Sequence, residues 1–106
     1  MSTKINGAWL SNGGLIYIIT QIADKFVWRA VHKNGITETG IGWFLNHQNE
    51  ERSANVEAQW NFHGGDYKAG DIAHPQRPCP GTLIFDVHGK VIEIQWKDRD
   101  HFKRVA

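Results

Sequence analysis

Short stretches of alternating apolar and polar residues run through the chain, and their period of two is that of β-strands, whose successive side chains point to opposite faces. Val56-Glu57-Ala58-Gln59-Trp60-Asn61-Phe62-His63 alternates most cleanly, with Val56, Ala58, Trp60 and Phe62 inward. A strand over 26–32 sets Phe26, Trp28 and Ala30 against Val27, Arg29 and Val31. One over 41–46 puts Ile41, Trp43 and Leu45 in register as an inward set, with Gly40 and Gly42 marking a bulge or a close backbone approach. Residues 15–22 are apolar on both faces. Leu15, Tyr17 and Ile19 point one way and Ile16, Ile18 and Ile22 the other, which suits a packed interior or an oligomer interface.

Turn signals separate these stretches at short intervals. Asn12-Gly13-Gly14 follows a strand over 5–10, Lys33-Asn34-Gly35 carries the Asn-Gly hairpin signal, and His88-Gly89 joins strands over 82–87 and 91–97. In that last hairpin Leu83, Phe85 and Val87 are expected to face Ile92, Ile94 and Trp96, and a strand over 102–105 closes the sheet. Residues 64–80 are the least regular part and hold all three prolines, Pro75, Pro78 and Pro80. Proline cannot serve a central ladder, so this region reads as a short strand near 71–73 and a long loop. The total is eight or nine strands and no helix.

Composition agrees. Seventeen residues are Ile or Val against four Leu and one Met, a bias toward β-branched side chains that fit a pleated surface. At 106 residues, 41% apolar and 22% charged, the chain is a single globular domain over 1–106. A net charge of +1 with both signs interspersed gives no field for a nucleic-acid backbone or an anionic membrane, and the densest charged run, Lys97-Asp98-Arg99-Asp100-His101, alternates sign. Cys79 is the sole cysteine, so no internal disulfide forms, and no sustained apolar stretch opens the chain. A cytoplasmic location is expected.

Eight or so sequential antiparallel strands must hide their edges in an up-and-down barrel or, alternatively, a β-sandwich, and the meander order favours the barrel. Gly7-Ala8-Trp9 in the first strand resembles the Gly-x-Trp of the calycin superfamily, which includes lipocalins and avidins, and Arg104 resembles the arginine that in that superfamily lies across the first-strand tryptophan. The resemblance implies an eight-stranded barrel closed at one end. The chain is shorter than a typical lipocalin, and the polar set by which avidins hold biotin is not found in order. The stretch over 13–28 is also similar to small bacterial β-domains.

Trp28, Trp43, Trp60 and Trp96 sit at inward positions where they could line a cavity for a small apolar or aromatic molecule, and Tyr17, Trp28, Trp43 and Trp60 are the candidate ligand-binding residues. The bland alternative is a core filled by rings. Six histidines lack the spacing of a metal site; the nearest grouping, His63 and Asp66 with His74 and Cys79, has no tight ligand pair, so neither metal nor cofactor is expected. Cys79 has no activating base at a motif spacing and reads as a passive loop thiol, while Arg29, alternating with Trp28, is expected to point outward. The expected function is therefore a non-enzymatic binding module. The alternative is a protein interaction or inhibitor-like barrel using the strand over 15–22, as a homo-oligomer, or the proline loop.

Overall fold

The computed structural model describes residues 5–33, 35–45, 55–64 and 77–105. Eight strands appear among them: β1 Gly7–Ser11, β2 Ile16–Ile22, β3 Lys25–Val31, β4 Thr37–Phe44, β5 Asn55–His63, β6 Cys79–Phe85, β7 Val91–Trp96 and β8 Phe102–Arg104. Each pairs antiparallel with its successor, and β8 returns to β1, so the sheet is a closed barrel in meander order. Closure leaves no sheet edge to cover among the described residues. The short strand expected near 71–73 lies outside the described residues.

The hairpins form where the turn residues predict. Ser11 and Leu15 close the β1–β2 turn through Ser11 N–H on the Leu15 carbonyl at 2.9 Å, with Gly14 at φ 85°. His32 N–H on the Ile36 carbonyl at 2.7 Å closes β3–β4, where Gly35 has φ 85°.

Interior packing is legible rung by rung, because the ladder registers line up inward residues across neighbouring strands. One rung runs Tyr17, Ala30, Glu38, Phe62; the next Ile19, Trp28, Gly40, Trp60; the third Gln21, Phe26, Gly42, Ala58, Cys79. Large side chains alternate with small ones, so rings from one strand lie over the bare backbone of the next. A Cβ added at Gly40 would fall 2.0 Å from the Trp28 ring, and one at Gly42 would fall 2.3 Å from the Phe26 ring. Trp28 packs on Trp96, Phe102 and Trp60 with ring centroids 5.5–6.1 Å apart, and all four rings are buried.

This packing inverts the face expected for β4. Glu38, Gly40, Gly42 and Phe44 point inward, whereas Ile41 and Trp43 point out and Leu45 lies exposed beyond the strand. The indole of Trp43 donates to Glu57 Oε1 at 3.1 Å on the outer surface. The reason is volume: the rings of Phe26 and Trp28 reach across the ladder and need glycines opposite them. Gly40 and Gly42 are thus sites of close approach and not a bulge.

Two further expectations are corrected. β6 begins at Cys79, which is buried in the core and is not a loop thiol. Pro80 fits this strand because its carbonyl accepts from Lys97 N–H past the first β6–β7 pair, Gly81 with Trp96, so its missing N–H falls where the ladder has ended. In the β6–β7 hairpin the register shifts between Ile84 and Phe85, Val87 is exposed in the turn, and Val91 rather than Ile92 points inward beside Ile94 and Trp96.

Candidate functional site

An up-and-down barrel gathers alternate connections at each end. At the end where the termini lie, Trp9 is fully buried and its indole N–H donates to the Ile5 carbonyl at 2.9 Å. Arg104, paired with Trp9 in the β1–β8 register, lays its guanidinium 4.3 Å from the Trp9 ring centroid and donates to the carbonyls of Val91 and Asn6. At this end Trp9 and Arg104 pack against each other.

The opposite end carries the β1–β2, β3–β4, β5–β6 and β7–β8 connections and has different chemistry. Glu38, the inward residue at the start of β4, has a side chain with no solvent exposure. Room for it comes from its ladder neighbour Ala30. Its Oε2 accepts from Arg99 Nη1 at 2.6 Å and from the Trp28 indole N–H at 2.9 Å. Its Oε1 accepts from the Tyr17 hydroxyl at 3.2 Å, from Arg99 Nη2 at 3.3 Å and from His32 Nε2 at 3.1 Å. An ionised carboxylate can only accept, so the proton sits on Nε2 of His32. Arg99 Nη2 also donates to the Tyr17 oxygen at 2.7 Å.

The guanidinium of Arg99 enters from the loop between β7 and β8 and lies among aromatic faces. Its Cζ is 4.5 Å from the Trp60 ring centroid, 5.1 Å from Phe102, 5.2 Å from Tyr17 and 5.7 Å from Trp28. Two side chains connect the cluster to solvent, Arg99 at 13% exposure and His32 at 26%. Among the described residues, the buried nitrogens Arg99 Nε and Trp96 Nε1 meet no acceptor.

Charge states follow from this geometry. Burial pushes the Glu38 carboxyl up, but the hydrogen bonds and charge of Arg99, with Trp28 and His32, outweigh it and hold the pKa below the usual carboxylate value. Burial first, and then the neighbouring Glu38 charge, push the Tyr17 hydroxyl up to about 12 against the lowering pull of Arg99. The cluster is therefore a neutral phenol between a fixed anion and a fixed cation.

Three of the four residues expected to meet a ligand, Tyr17, Trp28 and Trp60, converge here; Trp43 does not. Glu38 and Arg99, the polar centre, were not anticipated. Arg99 lies in a run of alternating charge that reads as solvated surface, and Glu38 lies ahead of the strand expected over 41–46, whereas β4 starts at Thr37. The pair of glycines two and four positions after Glu38 is the signal that marks its face as the inner one.

Arg29 is exposed on the outer face, as alternation predicts. Among the described residues no three His, Cys, Asp or Glu side chains come together to hold a metal ion. Of the grouping named from sequence, Asp66 and His74 lie outside the described residues, His63 Nε2 meets the Thr39 hydroxyl at 3.0 Å, and Cys79 is in the core. No family model matches the chain, and no curated protein or solved structure matches it either.

Proposed function

We propose that this protein is a non-catalytic binding barrel of calycin-like design, taking a small flat ligand at the end where Glu38 and Arg99 meet. The carrying observation is the buried Glu38–Arg99 pair beside the Trp60 and Tyr17 rings. Such a pair costs several kcal/mol per ion in lost hydration, and well-packed apolar residues would stabilise a fold as well or better, so its presence at a barrel mouth points to recognition. The rings supply stacking area and the polar pair supplies orientation. The lower barrel is filled by side chains, so the ligand is small and sits near the rim. Binding is favoured over catalysis because Glu38 is held ionised and saturated by donors, which leaves it poorly placed to transfer a proton.

The test is a thermal-shift screen of small aromatic and heteroaromatic compounds, followed by amide and indole chemical-shift mapping of any that stabilise the protein. Perturbations centred on Tyr17, Trp28, Trp60 and His32, lost in Trp60→Leu, are expected. Stabilising compounds that map elsewhere, or none at all, overturn the proposal.

A second reading is favoured by the outer surface of β2 to β4. Ile16, Ile18, Val27, Val31 and Ile41 all point outward there and are exposed, and Val27 pairs with Ile41 in the ladder. An aliphatic face of this kind, crossed by Arg29 and Thr39, suits a second copy of the chain. Sedimentation equilibrium tests it: a mass that rises with concentration and falls back to monomer in Ile18→Lys supports self-association, and a constant monomer mass removes it.

A further inference from the structure

The parts of the Glu38 cluster come from the strands and from the connections between them. Glu38, Tyr17, Trp28, Trp60 and Phe102 stand on β4, β2, β3, β5 and β8, all hydrogen-bonded into the closed barrel. Arg99 comes from the five-residue connection between Trp96 and Phe102, whose Lys97, Asp98 and Asp100 are exposed, and His32 comes from the β3–β4 connection. Without that side chain, the strands present a carboxylate, still bonded to Tyr17, Trp28 and His32, beside four aromatic rings, of which Trp28 and Trp60 stand one rung deeper in the barrel. This is the arrangement that receives a planar cation: the ring faces attract the charge, and two carboxylate oxygens match the fork of a guanidinium. A compact ammonium lacks both the plane and the fork.

Resting on the binding function above, we propose that this cage is a receptor for a small alkylguanidinium molecule, and that Arg99 is its resident occupant, displaced when the free ligand enters. The incoming head takes the place of the Arg99 guanidinium against Glu38 and Trp60, and the 97–101 connection carries Arg99 outward into water. Arg99 Nε meets no acceptor among the described residues in the resident state, so leaving for solvent restores a hydrogen bond to it. Because the resident is tethered, its effective concentration is of millimolar order or above, and the free ligand binds the intact protein correspondingly more weakly than it binds the emptied cage.

The experiment uses methylguanidinium chloride, with methylammonium chloride at matched ionic strength as the contrasting probe, on the wild-type protein and on Arg99→Ala. The readout is tryptophan fluorescence together with the indole N–H shift of Trp28. Saturable methylguanidinium binding to Arg99→Ala, at least about tenfold tighter than to wild type and than methylammonium to the same variant, is expected, with Glu38→Gln in the Arg99→Ala background abolishing it. In wild type, methylguanidinium at high concentration is expected to move the Trp28 indole signal in the same direction.

Arg99→Ala leaves a buried carboxylate without its cation, so its folding is a second readout. A saturating concentration of methylguanidinium should raise its melting temperature by about 5 °C or more over methylammonium. No saturable binding to the variant together with no selective rise in its melting temperature, or equal responses to both cations, overturns the proposal. A wild-type Trp28 signal unmoved by methylguanidinium does so as well, since Arg99 is then a permanent part of the core. If neutral flat compounds still map to Trp60 and Tyr17 in the screen above, only the guanidinium assignment falls; if nothing binds at that end, both readings fall together.

Discussion

Gly40→Ala tests the packing that decides the inner face of β4. The added methyl would sit 2.0–2.4 Å from three atoms of the Trp28 indole, which is closer than any real Cβ contact, so the ring must move. Trp28 is hemmed by Phe26, Trp60, Trp96 and Phe102, and its indole N–H is anchored on Glu38 at 2.9 Å. Overpacking of this kind costs about 1–3 kcal/mol. Losing the hydrogen bond to the ionised carboxylate adds about 1.5–3 kcal/mol. Reduced freedom of the unfolded chain returns about 0.4–1 kcal/mol. The net expectation is a loss of about 2–5 kcal/mol, or a fall in melting temperature of roughly 10–30 °C for a domain of this size. Urea unfolding followed by tryptophan fluorescence gives the free energy. Gly13→Ala is the control, because its Cβ would lie 3.4 Å from the nearest atom, a side-chain oxygen of Asp100, and it should change stability by no more than about 0.5 kcal/mol. Combining Gly40→Ala with Trp28→Leu should cost less than the sum of the two by about 1 kcal/mol or more, since the shorter side chain relieves the clash. A Gly40→Ala cost below about 1 kcal/mol, or strict additivity with Trp28→Leu, would refute the reasoning.

The remaining predictions concern charge and the outer surface. The Tyr17 pKa is raised from 10.0 to about 12, so its contribution is complete below pH 10 and is lost as pH climbs toward 12; roughly 2–3 kcal/mol should disappear over that window in equilibrium unfolding and be absent from Tyr17→Phe. Glu38 is shifted the other way, so its contribution is complete above its unfolded value of 4.5 and is lost as pH falls through its lower folded value; Glu38→Gln should lower stability at pH 7 by about 3–5 kcal/mol and flatten that acid limb. Arg104→Ala, measured by chemical denaturation, should cost about 2–4 kcal/mol through the lost Trp9 contact and the hydrogen bonds to Val91 and Asn6, and Arg104→Lys should recover less than half because one ammonium cannot reproduce a planar fork. Trp43→Ala should cost less than about 1.5 kcal/mol and leave the shift pattern of any ligand unchanged, whereas Trp60→Ala should cost about 3–5 kcal/mol; equal losses would return Trp43 to the interior.

Local physics was enough to read most of this barrel from the chain. β-Branched and aromatic residues in alternating stretches, broken by Asn-Gly and Gly-Gly turns, specify short strands joined as hairpins, and a meander of eight must hide its edges. The inward sets of β3 and β5 were legible for the same reason: each strand has its largest side chains on one face, and Trp28 and Trp60 lie there, whereas β2 is apolar on both faces and only barrel closure put Tyr17 and Ile19 inside. β4 broke the rule because its more apolar face is the outer one. Its inner face is set by ring volume arriving from β3, a quantity that exists only once the two strands are paired. Glu38 and Arg99 were hidden more deeply, since 61 positions separate them and each alone looks like a solvated charge. A buried ion pair is stable only as a pair, with donors from several strands closing around it. Sequence could supply the charges one by one; barrel closure alone could bring them together among the rings.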